Sequence, residues 1–87
     1  MKILFNLKKI SENEDFTVIL NVGRPLSIVE VKNVLVKILS MMKYHFDVEE
    51  LKLESFGNGF DNSSGVVSID DDTKFYWNYA KYMEMSI

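Results

Sequence analysis

The sequence has no cysteine, a single proline, four glycines and one histidine. Without cysteine, no disulfide can substitute for a core and no thiolate is available to chemistry. The chain therefore does not read as a secreted scaffold, and a reducing cytoplasm is its expected setting. His45 has no second histidine or cysteine near it in sequence, so neither a metal-ligand set nor an imidazole-activated nucleophile is supported, and it reads as an ordinary loop residue. Long apolar runs are missing too. The longest, within Ile28–Met42, is broken by Glu30, Lys32, Asn33 and Lys37, which excludes a membrane span of about 20 apolar residues. Met1–Ile10 is no signal peptide, because its lysines alternate with apolar residues instead of preceding them. No stripe of lysine and arginine exists to follow a phosphate backbone, and the net charge is −3, so nucleic acid is not expected as a partner.

What remains is 87 residues, 47% of them hydrophobic and 13% aromatic, enough for one domain (1–87) with a small core. Ile3, Phe5 and Leu7 fall at a spacing of two, as do Phe16, Val18, Leu20 and Val22. Each set defines one face of a strand, and the short polar link Ser11–Asp15 makes the pair an antiparallel hairpin. Gly23-Arg24-Pro25 ends the second strand. Ser27 with Glu30 three residues later is a capping box opening a helix, and Ile28, Val31, Val34, Leu35, Ile38, Leu39 and Met42 form its apolar stripe.

Beyond the helix, Tyr44–Glu50 reads as a connecting turn, and Leu51 and Leu53 alternate with Lys52 and Glu54 in a third strand. Residues 57–65 are dense in turn formers and predict a loop. Val66–Ile69 predicts a short fourth strand, Asp70–Ala80 an irregular aromatic stretch, and Lys81–Ile87 a last strand with Met83, Met85 and Ile87 on one face. The order is strand, strand, helix, strand, short strand, strand, an α+β domain.

Met1-Lys-Ile-Leu-Phe5 and the capped helix Leu26–Ile38 resemble ubiquitin. The resemblance implies a β-grasp fold: a mixed sheet with one helix packed across it, the C-terminal strand running parallel to the first and lying between it and the third. Within that superfamily, Leu26–Leu39, Leu51-Lys-Leu-Glu-Ser-Phe56, and Ser68-Ile-Asp-Asp-Asp72 with Phe75-Tyr76 are similar to the C-terminal ubiquitin-like domain of the tubulin-binding cofactor E family. Two segments depart from that pattern. Asn78–Lys81 lacks the family's glycine-containing turn, and the loop 57–65 is rich in glycine and serine where the family carries proline and lysine.

The resemblance implies a non-enzymatic protein-interaction module at the C-terminal end of a longer tubulin-folding cofactor. Such a module would be cytoplasmic and cytoskeleton-associated, without cofactor. Its implied partners are α-tubulin, other tubulin cofactors and the proteasome, and its implied role is in folding α-tubulin and assembling or dissociating the α/β-tubulin dimer. Conjugated ubiquitin-like proteins need a Gly-Gly tail, and Met85-Ser86-Ile87 does not provide one.

The aromatic group Phe75, Tyr76, Trp77, Tyr79 and Tyr82 is large for so small a domain. Part of it must fill the core. Trp77 and Tyr79, and with them Tyr82, are the candidates to project outward as binding anchors. Asp70, Asp71 and Asp72 lack the ligand spacing of a calcium loop and read as a solvated turn that supplies a charged rim. Lys52 and Glu54 in the third strand and Tyr82 and Glu84 in the last are expected to face outward, replacing with polar groups the apolar patch by which ubiquitin is recognised. Two rival readings belong to the same fold: a Ras-binding or PB1-like module whose acidic run meets a basic partner, and a sulfur carrier, which the missing Gly-Gly terminus and absent cysteine disfavour.

Overall fold

The computed structural model describes residues 2–56 and 62–82. Strand β1 (Lys2–Lys9) turns back into β2 (Asp15–Asn21), helix α1 (Ile28–Met41) crosses over, and a one-turn 3₁₀ helix (Val48–Glu50) leads to β3 (Lys52–Ser55). The chain then runs through β4 (Asn62–Ser68) and β5 (Lys74–Lys81). The five strands form one sheet in the order β2-β1-β5-β4-β3.

The α+β class and the helix across one face agree with the sequence expectation and with a β-grasp-like outline, whereas 62–65, expected in a loop, begin β4, and 74–80, expected to be irregular, form most of β5. The pairing at the centre of the sheet differs as well. Every pair is antiparallel, including β1 with β5, in which Phe5 faces Tyr79 and Leu7 faces Trp77. The sheet is thus antiparallel throughout rather than mixed. The physical reason is that the strand beside β1 is the returning arm of the β4–β5 hairpin, one element earlier in the chain than expected. Strand β2 reverses β1, the helical crossover brings β3 back in the direction of β2, and two further reversals, into β4 and through the short turn Ile69–Thr73 into β5, leave β5 running with β3 and so against β1. The last strand expected over 81–87 falls almost wholly outside the described residues, as do Met83, Met85 and Ile87.

Strands β2, β5 and β3 run one way and β1 and β4 the other, so β2 and β3 lie codirectionally at opposite edges. Five strands at a spacing of about 4.8 Å place those edges about 19 Å apart. A 14-residue helix is about 21 Å long, which suits it to carry the chain from one edge to the other.

Helix α1 starts as its sequence dictates. The Ser27 hydroxyl accepts from the Glu30 N–H at 3.2 Å, and the Ser27 N–H donates to Glu30 Oε1 at 3.0 Å. It ends in a Schellman arrangement: Tyr44 N–H donates to Leu39 O at 3.1 Å and Lys43 N–H to Ser40 O at 3.0 Å. Lys43 sits at φ 66°, the left-handed conformation that glycine adopts most easily.

The core lies between α1 and the sheet. Val31, Leu35, Ile38 and Leu39 of the predicted stripe are buried against Ile3, Phe5 and Leu7 of β1, Val67 of β4 and Phe75, Trp77 and Tyr79 of β5. Val34 and Met42 are half-buried, and Ile28, in the first turn, is exposed. Phe5, Trp77 and Tyr79 stack nearly parallel, with centroids 6.0–6.4 Å apart. Trp77 lies over Gly65, its partner in β4, where a side chain would collide with the indole and with the Glu54 carbonyl oxygen.

Candidate open face of the sheet

Because strand side chains alternate, burying Phe75, Trp77 and Tyr79 under the helix turns Tyr76, Asn78 and Ala80 to the opposite face. Among the described residues no element covers that face. Its rows follow from the register. Thr17, Asn6, Asn78 and Ser64 form a polar ladder across four strands. In that ladder Thr17 Oγ1 lies 2.7 Å from Asn6 Oδ1 and donates to it, and Asn6 Nδ2 donates to Asn78 Oδ1 at 3.0 Å. The next row is Asp15, Lys8, Tyr76, Val66 and Glu54, and beyond it come Lys74, Ser68 and Lys52. On the other side of the ladder lie Ile19, Leu4 and Ala80.

Tyr76 is 38% exposed at the middle of its row, and Ile19 is 52% exposed. A shallow depression beside Tyr76 is lined by Asn6, Lys8, Asp15, Thr17 and Asn78. The strands place Lys2, Lys8, Lys52 and Lys74 on this face against Asp15 and Glu54, and Glu50, Asp70 and Asp71 line the depression that Lys52 and Lys74 share, so charges of both signs border it.

Most of the acidity gathers beside this face. The β1–β2 turn (Glu12, Glu14, with Asp15 opening β2), the segment before β3 (Asp47, Glu49, Glu50) and the β4–β5 turn (Asp70–Asp72) all lie at one end of the sheet, nine of the chain's thirteen acidic residues. Among the described residues no group of carboxylates there is arranged to hold a metal ion. Several of them serve the backbone. Asp70 Oδ1 accepts from the Asp72 and Thr73 N–H groups at 2.9 and 2.8 Å, and Asp47 Oδ1 accepts from the Glu49 N–H at 3.0 Å. Lys9 is held there by Glu12 at 3.4 Å and lies 5.4 Å from the Tyr44 ring centroid. Tyr44, and behind it Glu12, raise its pKa above the ordinary lysine value, against the opposing effect of desolvation.

The expected binding residues separate accordingly. Lys52 and Glu54 are exposed on the open face, as anticipated, and Asp70, Asp71 and Asp72 form the exposed turn beside them. Trp77 and Tyr79 are a correction: at 0% and 3% exposure they are core residues and cannot anchor a partner. The Tyr79 hydroxyl is spent inside the fold, donating to Leu26 O at 3.1 Å. The Trp77 indole N–H is buried with no hydrogen-bond partner among the described residues. Tyr82 is half-buried just past β5, its N–H bonded to Lys2 O at 2.9 Å, and Glu84 lies outside the described residues. Tyr76, the aromatic of β5 that faces outward, is not among the expected binding residues. The alternation of Phe75, Trp77 and Tyr79 was the signal that could have found it.

No family model matches the chain, and no curated protein or solved structure matches it either. The fold and surface therefore define a class only: a small α+β domain of β-grasp-like outline, its helix on one face of an antiparallel sheet and its other face uncovered among the described residues. Among the described residues no helix is long and apolar enough to cross a membrane.

Proposed function

We propose that the chain is a non-catalytic binding domain that recognises another protein through the open face of its sheet, with Tyr76 as the anchor. The observation that carries this is the placement of an exposed tyrosine at the centre of that face, between Lys8 and Val66 and ringed by Lys52, Glu54 and Lys74. A ring with an apolar body and a polar tip, inside a charged rim, is the usual anatomy of a specific contact.

The finer reading, a tubulin-folding cofactor module acting on α-tubulin, rests on the sequence resemblance alone. The antiparallel β1–β5 pairing counts against the ubiquitin-like arrangement behind it. It makes the α/β-tubulin dimer and other tubulin cofactors the first purified partners to titrate.

The test is affinity capture with three forms of the protein: wild type, Tyr76→Asp on the open face, and Lys37→Glu on the exposed side of the helix. A partner retained by Lys37→Glu and lost by a correctly folded Tyr76→Asp is the expected result. Identical capture by all three forms overturns the proposal.

A further inference from the structure

The two edges of the sheet are unlike. The β3 edge is four residues long and carries Lys52 and Glu54, the kind of short, charged strand that resists further pairing. The β2 edge is seven residues long, Asp15-Phe-Thr-Val-Ile-Leu-Asn21, with one charge at its end and no proline. On the helix side of that edge, Phe16, Val18 and Leu20 remain only half-buried against the core, and on the open side Ile19 is exposed.

The hydrogen-bond parity of this edge is settled by its inner neighbour. Lys9 N–H donates to Glu14 O at 2.9 Å, which makes Lys9–Glu14 a hydrogen-bonded pair in continuation of the β1–β2 register. Alternation then makes Leu7–Phe16, Phe5–Val18 and Ile3–Leu20 hydrogen-bonded pairs too. Phe16, Val18 and Leu20 therefore spend their backbone groups on β1, whereas Asp15, Thr17, Ile19 and Asn21 aim theirs outward.

We propose that this edge pairs with the same edge of a second copy, antiparallel about a two-fold axis at Val18, so that one sheet runs through both copies. A two-fold axis requires a self-complementary strand, and this one is. Val18 meets its own copy as a non-hydrogen-bonded pair, Thr17 exchanges hydrogen bonds with Ile19, and Asp15 does so with Asn21. Phe16 lies against Leu20 on the helix side. The register uses all seven residues, satisfies every outward N–H and C=O of β2, extends the apolar row beneath the helix into its counterpart, and sets no like charges opposite each other. The pairing involves a different surface from that of Tyr76 and does not depend on the function proposed above.

The interface is a single strand pair, smaller than the ~1,200 Å² of standard complexes, so the dimer is weak and forms as the protein is concentrated. Sedimentation velocity of the full chain from micromolar to millimolar concentration reads it directly. Because the protein has no cysteine, Val18→Cys introduces a single thiol. In the paired state its Cα lies about 4.5 Å from its copy, within disulfide range, and mild oxidation should yield a covalent dimer. The two copies of Asn21 lie at opposite ends of the pairing, about 20 Å apart, so Asn21→Cys should not cross-link.

Charge at position 21 supplies a readout separate from folding. Asn21→Asp sets an aspartate opposite Asp15 twice per dimer and should weaken dimerisation about three- to tenfold, while Asn21→Lys should strengthen it by a similar factor. Within one copy Asn21 faces Lys2, so the same substitutions shift monomer stability in the opposite direction. A chain that stays monomeric throughout, a Val18→Cys form that does not cross-link, or position-21 variants that change dimerisation in the reverse order would each overturn the proposal.

Discussion

Gly65→Ala is the sharpest test of how the sheet and its tryptophan fit together. A β-carbon built on Gly65 runs into the Glu54 carbonyl oxygen and comes within 2.6 Å of Trp77 Cζ2 and 2.7 Å of Cε2. Backbone propensity alone argues the other way, since glycine inside a strand costs roughly 0.5–1 kcal/mol relative to alanine. The collision decides the sign, because one of its partners is backbone in the neighbouring strand and the other is a fully buried indole. Overpacking typically costs 1–3 kcal/mol, and a clash that must move a strand should reach about 3 kcal/mol or more, a large share of the 5–15 kcal/mol that such domains possess.

The assay is urea denaturation followed by the fluorescence of Trp77, the only tryptophan, with circular dichroism as a second probe. The midpoint should fall without a change in slope. Repeating the substitution in a Trp77→Phe background should recover part of the loss but not all, because the Glu54 carbonyl remains in the way. A neutral or stabilising Gly65→Ala would refute the packing argument.

Leu35→Ala and Ile38→Ala, both at the centre of the helix–sheet interface, should each cost about 2–5 kcal/mol in the same denaturation experiment. Ser27→Ala should cost about 1 kcal/mol, since the hydroxyl satisfies a first-turn N–H. Glu30 has its pKa lowered below the ordinary 4.5, chiefly by the Ser27 N–H and then by Arg24. Its charge therefore stabilises the fold above that ordinary value and ceases to do so as pH falls through the depressed one, so the stability gap between wild type and Glu30→Gln should close on acidification. An NMR titration that places the Glu30 midpoint at or above 4.5 would contradict this. Lys43→Gly, at the left-handed position that ends the helix, should stabilise by up to about 1 kcal/mol, read as a rise in melting temperature.

The parts of the fold legible in the sequence were those fixed by neighbours in the chain. The capping box at Ser27 and Glu30, the helix stripe and the alternation in β1 and β2 each depend on residues a few positions apart, and each appears where its pattern puts it. Strand β5 was hidden because Tyr76 interrupts the contrast between Phe75, Trp77 and Tyr79 and the polar face, so a period of two looked like an undivided aromatic cluster. Asn62, Ser63 and Ser64 favour turns locally, yet they begin β4 because β5, and by Ser64 the end of β3, offer their backbone partners there. The direction of β5 beside β1 is a non-local property that no short pattern records. The error at the candidate site had the same root. Once Lys74–Lys81 is a strand, its parity sends Trp77 inward and Tyr76 outward.

The seam between β1 and β5 also bears on the order of events during folding. Asn6 and Asn78, bonded across it, are 72 positions apart, whereas the β1–β2 and β4–β5 hairpins close through short turns. Each hairpin can begin to form within its own stretch of chain, but joining them requires closing nearly the whole loop, which is the slow step for chains dominated by distant contacts. Neither half can enclose Trp77 alone, because Phe5 belongs to one and Gly65 to the other. The emission of that indole is thus a clock for seam closure, and it should lag behind helix formation when refolding is followed by stopped flow.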